Sequence, residues 1–291
     1  MPSWITQRPC AMSHPKRADL HTHSHFSDGT SSPAEVVGLA AQLQLGAVAL
    51  TDHDTVAGLA QAEEEARRLD VCFIPGIELT ADHSETERHI LGYWIDPGSP
   101  ELASLLERME RERRGRVGRI AEKLGECGVA LDPEEVFEVP HQGVLGRMHV
   151  AEALCRRGAT ANVNEAFARY LRDDGPAYVP KYALTVAETI ALIHRAGGVA
   201  SLAHPGGEVD REEITGFAQA GLDGLEAYYP GYASSLRDRY CELARHLSLV
   251  ATGGSDYHGR RKDQGLGAMT VPLEAVERLK ARLPTGSGRS L

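Results

Sequence analysis

Short apolar runs alternate along this chain with segments whose apolar residues recur at helical spacing. Each run is nearly continuous in apolar residues, which is typical of strands that helices cover on both faces. Strands that alternate with helices predict βα units and a parallel sheet. The seven predicted strands are Ala18–His23, Ala47–Asp52, Val71–Leu79, Arg88–Ile95, Gly198–His204, Leu222–Tyr229 and Leu249–Ser255.

Helix-start signals fall between these strands. The first helix opens at Ser32, which is followed by proline at the first helical position and by Glu35 in a capping box. Further helices are predicted after Thr55, before Gly197, and near residues 211–220 and 233–246. The pattern therefore predicts an α/β fold.

The alternation stops between residues 97 and 185. This stretch holds a charged helical segment at 102–124, a glycine-rich turn and two shorter helical segments near 149–157 and 164–171. We interpret it as a helical subdomain inserted between the fourth and fifth strands of a barrel. The predicted organisation is a flexible N-terminal tail (1–17), a β/α barrel (18–96 and 186–283), the insert (97–185) and a flexible C-terminal tail (284–291).

Composition and charge narrow the classes of partner. The 291 residues are 42% hydrophobic and 25% charged, and the formal net charge is −10. An acidic chain is poorly suited to gripping a long nucleic acid by its phosphates, so no DNA partner is expected. Five scattered cysteines without a CxxC pair favour a reducing compartment. Because no segment resembles a signal peptide or membrane span, we expect a cytoplasmic protein without a membrane partner.

The first predicted strand carries the clearest chemical pattern, Asp19-Leu20-His21-Thr22-His23. Side chains at alternate strand positions share a face, so Asp19, His21 and His23 point the same way. Two imidazoles at this spacing can bind one cation, and a neighbouring carboxylate can orient a ring. The structural alternative is a pair of surface histidines at a sheet edge.

Further metal-type side chains lie in other predicted strands or just after them. Because the carboxyl ends of barrel strands and the loops after them form one face, these side chains are expected to converge. They are Asp28, His53, Glu78, His89, His204, Asp256 and His258. Asp19, Asp52 and Asp54 are expected to orient ligands and not to bind metal themselves.

The ordered motifs DLHTHS, SDG, TDHD, GIE, HILGY, AHP and GSDYH resemble those of the PHP (polymerase and histidinol phosphatase) family over residues 18–258. The resemblance implies a distorted seven-stranded β/α, TIM-like barrel with the helical subdomain inserted, and a metal-dependent phosphoesterase activity. The stretches GRMHVA, EAFARYL, AYVPK and AGGVASLAHP are most similar to the branch that acts on nucleotide phosphates. That branch contains 3′,5′-nucleotide bisphosphate phosphatases, some of which also trim RNA as 5′→3′ exoribonucleases.

The same resemblance implies three metal sub-sites. The first would use His21, His23, Glu78 and Asp256; the second would share Glu78 and add His89 and His204; the third would use Asp28, His53 and His258. Two or three divalent cations are therefore expected per chain, with Mn²⁺ favoured and Fe²⁺, Zn²⁺ or Mg²⁺ as alternatives. The catalytic group would be a metal-bridging hydroxide held by Glu78, His21, His23, His89, His204 and Asp256.

Substrate contacts are expected mainly from the insert. Arg147 and His149 lie at the start of a predicted helix, where free N–H groups favour an anion, and an arginine offers a bidentate fork for phosphate. The structural alternative for this pair is a surface arginine with a capping histidine. Arg169 and Lys181 in the insert, and His25 beside Asp28, are further candidates.

The favoured function is removal of the 3′-phosphate from a nucleoside 3′,5′-bisphosphate, which leaves the 5′-monophosphate. The alternatives at the same site are a 5′→3′ exoribonuclease on short RNA, a cyclic phosphodiesterase, and a phosphatase of a non-nucleotide such as histidinol phosphate. Amide or C–N hydrolysis is less favoured, since Glu78 takes the bridging position that a carboxylated lysine holds in related barrels. A non-catalytic PHP module is least favoured, because all nine ligand positions hold the expected residue types.

Overall fold

The computed structural model describes residues 17–84, 86–138, 144–207, 209–259 and 265–284. Most of the two expected tails, residues 1–16 and 285–291, lies outside the described residues. Arg17, which was expected in the N-terminal tail, begins the first strand.

Strands occur at all seven predicted places, although the first ends earlier than predicted. The strands of the described residues are β1 (Arg17–Asp19), β2 (Ala47–Leu50), β3 (Phe73–His83), β4 (Thr86–Tyr93), β5 (Leu184–Thr185), β6 (Val199–Leu202), β7 (Gly224–Tyr228), β8 (Val250–Gly253) and β9 (Val271–Pro272). They form one sheet, in which eight strands follow the order β8-β7-β6-β4-β3-β2-β1-β9 and β5 pairs with β3 at its side. The predicted number of seven was therefore too low, because β5 and β9 are two residues long and too short to show a periodic pattern.

One strand inside the sheet reverses direction. β4 is antiparallel to both of its neighbours, β3 and β6, whereas β1/β2, β2/β3, β6/β7 and β7/β8 are parallel pairs. β3 ends at His83 and β4 begins at Thr86, and a parallel crossover needs about a dozen residues. The expectation of a parallel sheet was wrong for this strand, because β3 and β4 form a hairpin.

The sheet curls into a nearly closed barrel. Beyond the end of β1, the Leu20 amide donates to the Gly253 carbonyl of β8 at 3.2 Å, and the His23 amide donates to the Tyr257 carbonyl at 2.8 Å. A parallel bridge between Thr22 and Tyr257 lies between these two bonds. The predicted α/β barrel is therefore confirmed, with its first and last parallel strands brought side by side.

Helices follow or precede most strands, and the predicted capping box is present at Ser32. The described α-helices are α1 (Pro33–Gln42), α2 (Leu59–Leu69), α3 (Pro100–Glu126), α4 (Pro133–Phe137), α5 (Arg147–Arg156), α6 (Val163–Ala166), α7 (Val186–Arg195), α8 (Arg211–Gln219), α9 (Ser234–His246) and α10 (Leu273–Lys280). A π-helical turn, Phe167–Leu171, follows α6. Within the described residues, none of these helices has the length and apolarity needed to cross a membrane.

The chain divides into two compact units. One comprises residues Met1–Ala103 and Leu184–Leu291 and contains the barrel; the other comprises Ser104–Ala183 and is helical. The helical unit has its own apolar core, to which α3, α5 and the π-helical turn contribute buried residues such as Leu124, Leu154 and Leu171. Its bounds differ by a few residues from the predicted insert at 97–185.

We expect the core of the helical unit to be sensitive to a cavity at Leu154. This side chain is fully buried, so Leu154→Ala should lower the free energy of unfolding by about 2–5 kcal/mol through lost apolar burial and an unfilled cavity. Met148→Ala, on the same helix at a position that is 49% exposed, is the matched control and should change it by less than about 0.5 kcal/mol. Urea denaturation measures both, and equal small changes would contradict the assignment of this core.

Candidate metal centre

The two histidines of the first motif lie beyond β1, in backbone that stays extended because Thr22 is bridged to Tyr257. Thr22 points to the opposite side, where its hydroxyl donates to the Ala49 carbonyl at 2.6 Å. His21 and His23 therefore share a side of the barrel. Both are fully buried, and their ring centroids are 5.1 Å apart.

Glu78 lies at the centre of the site. It is on β3, and its side chain is fully buried among imidazoles. Five histidine nitrogens surround its two carboxylate oxygens: His21 Nε2 at 3.1 Å, His23 Nε2 at 3.2 Å, His53 Nδ1 at 3.3 Å, His89 Nδ1 at 2.8 Å and His204 Nε2 at 3.0 Å. One carboxylate thus contacts rings from four separate segments of the barrel.

All nine predicted ligands lie in this site, in overlapping groups whose donor atoms are within 4.8 Å of one another. The groups are His23, Asp28, His53 and His258; His21, His23 and Asp256; His21, Glu78 and His204; and His53, Glu78 and His89. The division expected from the resemblance shared only Glu78 between sub-sites. In the structure His21, His23 and His53 also belong to two groups each, so neighbouring positions have several donors in common.

The spacing of the donors fits divalent cations. Two ligands that each lie 2.0–2.1 Å from one ion are roughly 2.8–3.4 Å apart, from octahedral to tetrahedral geometry. The contacts around Glu78 fall in this range, as do those from Asp256 Oδ1 to the Nε2 atoms of His21 and His23, at 3.4 and 3.2 Å. His23 Nδ1 is buried without a hydrogen-bond partner, and Asp28 Oδ1 lies 3.8 Å from it. Since a buried polar atom without a partner is costly, a coordinated cation would account for this arrangement.

The carboxylates of the site are held in their ionised form. Burial alone would raise the pKa of Glu78, but the positive charges of His53, His21 and His89 outweigh it and hold the pKa well below its usual range. Burial likewise opposes ionisation of Asp256, and contact with His23 lowers its pKa nevertheless. Ionised carboxylates are the form that binds cations.

Buried histidines of the site have pKa values that are shifted in opposite directions. Burial alone would lower the pKa of His23, but the carboxylates of Asp256 and Glu78 raise it to about 9. The pKa of His89 is raised against burial to about 10, mainly by the charge of Glu78. His53 is different, since burial lowers its pKa to about 4 and positively charged neighbouring rings reinforce that shift. The metal-free site therefore retains protons that a cation must displace.

Three aspartates that were expected to orient ligands lie against the main chain of the segments that carry the candidate ligands. They accept hydrogen bonds from main-chain amides: Asp19 from His21, Ser255 and Gly267, Asp52 from Ser24, and Asp54 from Thr80. These bonds hold the backbone segments that carry the candidate ligands.

Sequence reasoning missed Glu226 on β7. Its carboxylate is fully buried, lies 3.0 Å from His21 Nδ1 and accepts the main-chain N–H of His204 at 2.7 Å. The signal was present in the sequence, since a lone acidic residue inside an apolar strand must be paired when it is buried.

Tyr229, at the end of the same strand, also contacts the site. Its hydroxyl donates to Asp256 Oδ2 at 2.8 Å, while Asp256 Oδ1 faces His21 and His23. Burial and the nearby Asp256 charge raise the pKa of Tyr229, so this hydroxyl keeps its proton.

The predicted substrate contacts are not among the four donor groups. His25 is half-buried on the loop after β1, and its ring packs against Phe26. Arg147, His149, Arg169 and Lys181 belong to the helical unit. His149 Nδ1 accepts the Gly146 amide at 2.9 Å, as a helix-capping side chain does, Arg169 pairs with Glu165 at 2.8 Å, and Lys181 is exposed. Their roles in substrate binding stay predictions.

Arg147 is held by hydrogen bonds and by aromatic rings of the helical unit. Its Nη1 donates to the Leu171 carbonyl at 2.7 Å and to Asp173 Oδ1 at 2.6 Å. The guanidinium also lies over the rings of Phe167 and Tyr178, with its central carbon 5.8 and 5.3 Å from their centroids. Packing fixes this arginine, whereas its partner Asp173 is 80% exposed.

Comparison with known proteins agrees with this site. The sequence profile of the PHP domain matches residues 19–246. A 5′-3′ exoribonuclease of Haemophilus influenzae is 33% identical over 250 residues, which cover 84% of this chain and 90% of the relative. A 3′,5′-nucleoside bisphosphate phosphatase of Chromobacterium violaceum is 32% identical over 246 residues, 82% of this chain and 86% of the relative.

A solved structure from Bifidobacterium adolescentis, described as a candidate metal-dependent phosphoesterase, is similar in both fold and sequence. The TM-score is 0.78 at 31% identity, and the match covers 95% of this chain and 100% of that one. The profile match, these relatives and the metal-type cluster around Glu78 identify a hydrolase of phosphate esters. The chain belongs to the PHP domain family of metal-dependent phosphoesterases.

Proposed function

We propose that this enzyme removes the 3′-phosphate from a nucleoside 3′,5′-bisphosphate, with two or three divalent cations held by the nine side chains around Glu78. The metal part of the proposal depends chiefly on one observation, the fully buried Glu78 carboxylate with five imidazole nitrogens 2.8–3.3 Å away. A buried carboxylate destabilises the fold if its charge is not compensated, and a position between two cations would compensate it. Manganese is the favoured metal, and a cytoplasmic location stays a prediction.

The nine side chains would hold the cations, and the cations would supply the chemistry of hydrolysis. Bound divalent cations supply acidity to a coordinated water and neutralise phosphoryl oxygens during in-line displacement. Glu78 would bridge two cations, and the fully buried His21 and His23 would bind on the inner side of the site. Asp28, which is the most exposed of the nine with a side chain 55% accessible, would complete the centre on its open side, together with His258 at 3.1 Å.

The substrate part of the proposal depends on Arg147. A bisphosphate has a second phosphate that is not cleaved, and a fixed guanidinium beside an exposed carboxylate is a group that already holds an anion. A phosphate could take the position of the Asp173 carboxylate without disturbing the Leu171 contact. The relative named as a 3′,5′-nucleoside bisphosphate phosphatase supports the same substrate class.

A 5′→3′ exoribonuclease acting on short RNA is the second candidate. Its support is the Haemophilus influenzae relative, whose identity to this chain, 33%, differs little from the 32% of the phosphatase. Both activities use one kind of metal site on nucleotide phosphates, so the substrate has to be decided by assay.

The metal content provides the first test. Protein grown with added Mn²⁺ should contain at least two divalent ions per chain by elemental analysis. His204→Ala should retain fewer ions. This ring is a donor in only one of the four groups, so the substitution should weaken that metal position and leave the other three groups intact. His246→Ala is the matched control, since this helical histidine contacts its own backbone at Glu242. Less than one ion per chain in the unaltered protein would count heavily against the proposal.

Proton release provides a second test. The pKa values of His23 and His89 are about 9 and 10 in the metal-free site, so at pH 7 both rings carry a proton that ligation must remove. Binding of Mn²⁺ at pH 7 should therefore release at least one proton, and affinity should rise with pH until these groups have titrated. Calorimetry in buffers of different ionisation enthalpy measures the released protons. A binding enthalpy that is identical in all buffers would contradict protonated ligands.

The substrate is tested by a release assay on Mn²⁺-loaded protein. We expect kcat/KM to be highest for phosphate release from a nucleoside 3′,5′-bisphosphate. The comparison substrates are a 5′-phosphorylated short RNA, a cyclic nucleotide and histidinol phosphate, each followed by its own product. Preferred release of mononucleotides from the RNA would make the exoribonuclease the principal activity.

The same assay examines Arg147. Arg147→Ala should mainly raise KM for the bisphosphate, because a contact to the uncleaved phosphate is made in ground and transition states alike. Loss of a charge-assisted bond of about 1.5–3 kcal/mol lowers kcat/KM roughly ten- to a hundredfold, and Arg147→Lys should restore only part of it. Arg157→Ala, at the end of the same helix, removes another carboxylate-paired arginine and serves as control. An equal loss of kcat on mono- and bisphosphates would show that Arg147 contacts the reacting phosphate instead.

A further inference from the structure

Behind the metal centre lies a carboxylate that is not among the predicted ligands. Glu226 is on β7, and no part of its side chain is accessible to solvent. A buried carboxylate of this kind is stable only where donors satisfy both of its oxygens. Glu226 finds these donors in two candidate metal ligands.

The two contacts differ in kind. Glu226 Oε1 lies 3.0 Å from His21 Nδ1, and Oε2 accepts the main-chain N–H of His204 at 2.7 Å. One carboxylate therefore joins the ring of His21 to the backbone that carries His204. The two rings stack with centroids 5.6 Å apart, and both direct Nε2 at Glu78, at 3.1 and 3.0 Å.

The contact with His21 selects a tautomer. An ionised carboxylate only accepts hydrogen bonds, so the proton between Glu226 and His21 must be on Nδ1 of the ring. A neutral imidazole with its proton on Nδ1 has its lone pair on Nε2, which is the atom that faces Glu78 and Asp256. Carboxylates that hold a ligand ring in this way commonly strengthen metal binding.

We propose that Glu226 is a positioning residue of the metal centre, which fixes the Nδ1–H tautomer of His21 and the placement of His204 so that both Nε2 atoms are directed at one cation. This inference depends on the proposed metal centre and deepens it. It assigns a role to a residue that touches neither substrate nor cation.

The chain offers a closely matched control. Asp223, three residues earlier, also accepts from an imidazole, at 2.7 Å from His194 Nε2, and from a main-chain amide, that of Ala200 at 2.9 Å. This pair is outside the four donor groups. Glu226→Gln and Asp223→Asn thus make the same chemical change, the loss of one buried carboxylate charge on an imidazole, inside and outside the centre.

The test is a titration of metal-free protein with Mn²⁺ alone, in competition with a fluorescent chelator, together with the Tm of each metal-free variant. Glu226→Gln should weaken the site that uses His21 and His204 by roughly 10- to 100-fold, while Asp223→Asn binds as the unaltered protein does. The metal-free Tm should fall by similar amounts in both variants. Unchanged affinity in Glu226→Gln, or an equal loss in Asp223→Asn, would overturn the proposal. If the unaltered protein binds no Mn²⁺, the metal centre itself is wrong, which is a different result.

A measurement on the unaltered protein does not depend on the folding of a variant. With ¹⁵N-labelled histidine and Zn²⁺ as a diamagnetic probe, long-range ¹H–¹⁵N correlations report which nitrogen of each ring carries the proton. The His21 signals, identified by their loss in His21→Gln, should show protonated Nδ1 and metal-bound Nε2. A His21 ring protonated on Nε2 would overturn the proposal.

Discussion

A buried carboxylate must be compensated by positive charge, and the architecture of the barrel unit is arranged to meet this requirement at Glu78. The side chain has no solvent access, and five imidazole nitrogens lie 2.8–3.3 Å from its two oxygens. Without cations, protons on rings such as His23 and His89 provide the compensation, which explains why their pKa values lie far above that of a free histidine. Cations and protons therefore compete for one set of donors.

The reversed strand β4 makes this arrangement possible. In the antiparallel pair of β3 and β4, His89 is directly opposite Thr80, which shares a face of β3 with Glu78 two residues before it. Diagonal neighbours of this kind are within reach of long side chains, and His89 Nδ1 lies 2.8 Å from Glu78 Oε1. A tight hairpin thus brings His89, one of the candidate ligands, next to Glu78. The other candidate ligands lie beyond the carboxyl ends of parallel strands.

A layer of hydrogen-bonding side chains lies behind the candidate ligands. Asp19 binds the amides of three separated segments, and Glu226 joins His21 to His204. Tyr229 binds one oxygen of Asp256 and leaves the other facing the histidines. Each of these groups restricts the orientation of a candidate ligand or of the backbone that carries it, so the geometry of the site depends also on residues outside the four donor groups.

The sequence alone determined the seven main strands and the set of nine metal-type residues, because apolar periodicity and the short motifs around His21, His53 and Asp256 are local features. It also indicated a separate helical region, since the alternation of strands stops there. Only the tertiary structure decided that β4 runs antiparallel, that two further short strands complete the sheet, and that His21, His23 and His53 are shared between donor groups. It likewise revealed Glu226, whose partners are 205 and 22 residues away along the chain. Strand direction and partners so distant are set by packing between segments, and packing leaves no periodic trace in the order of residues.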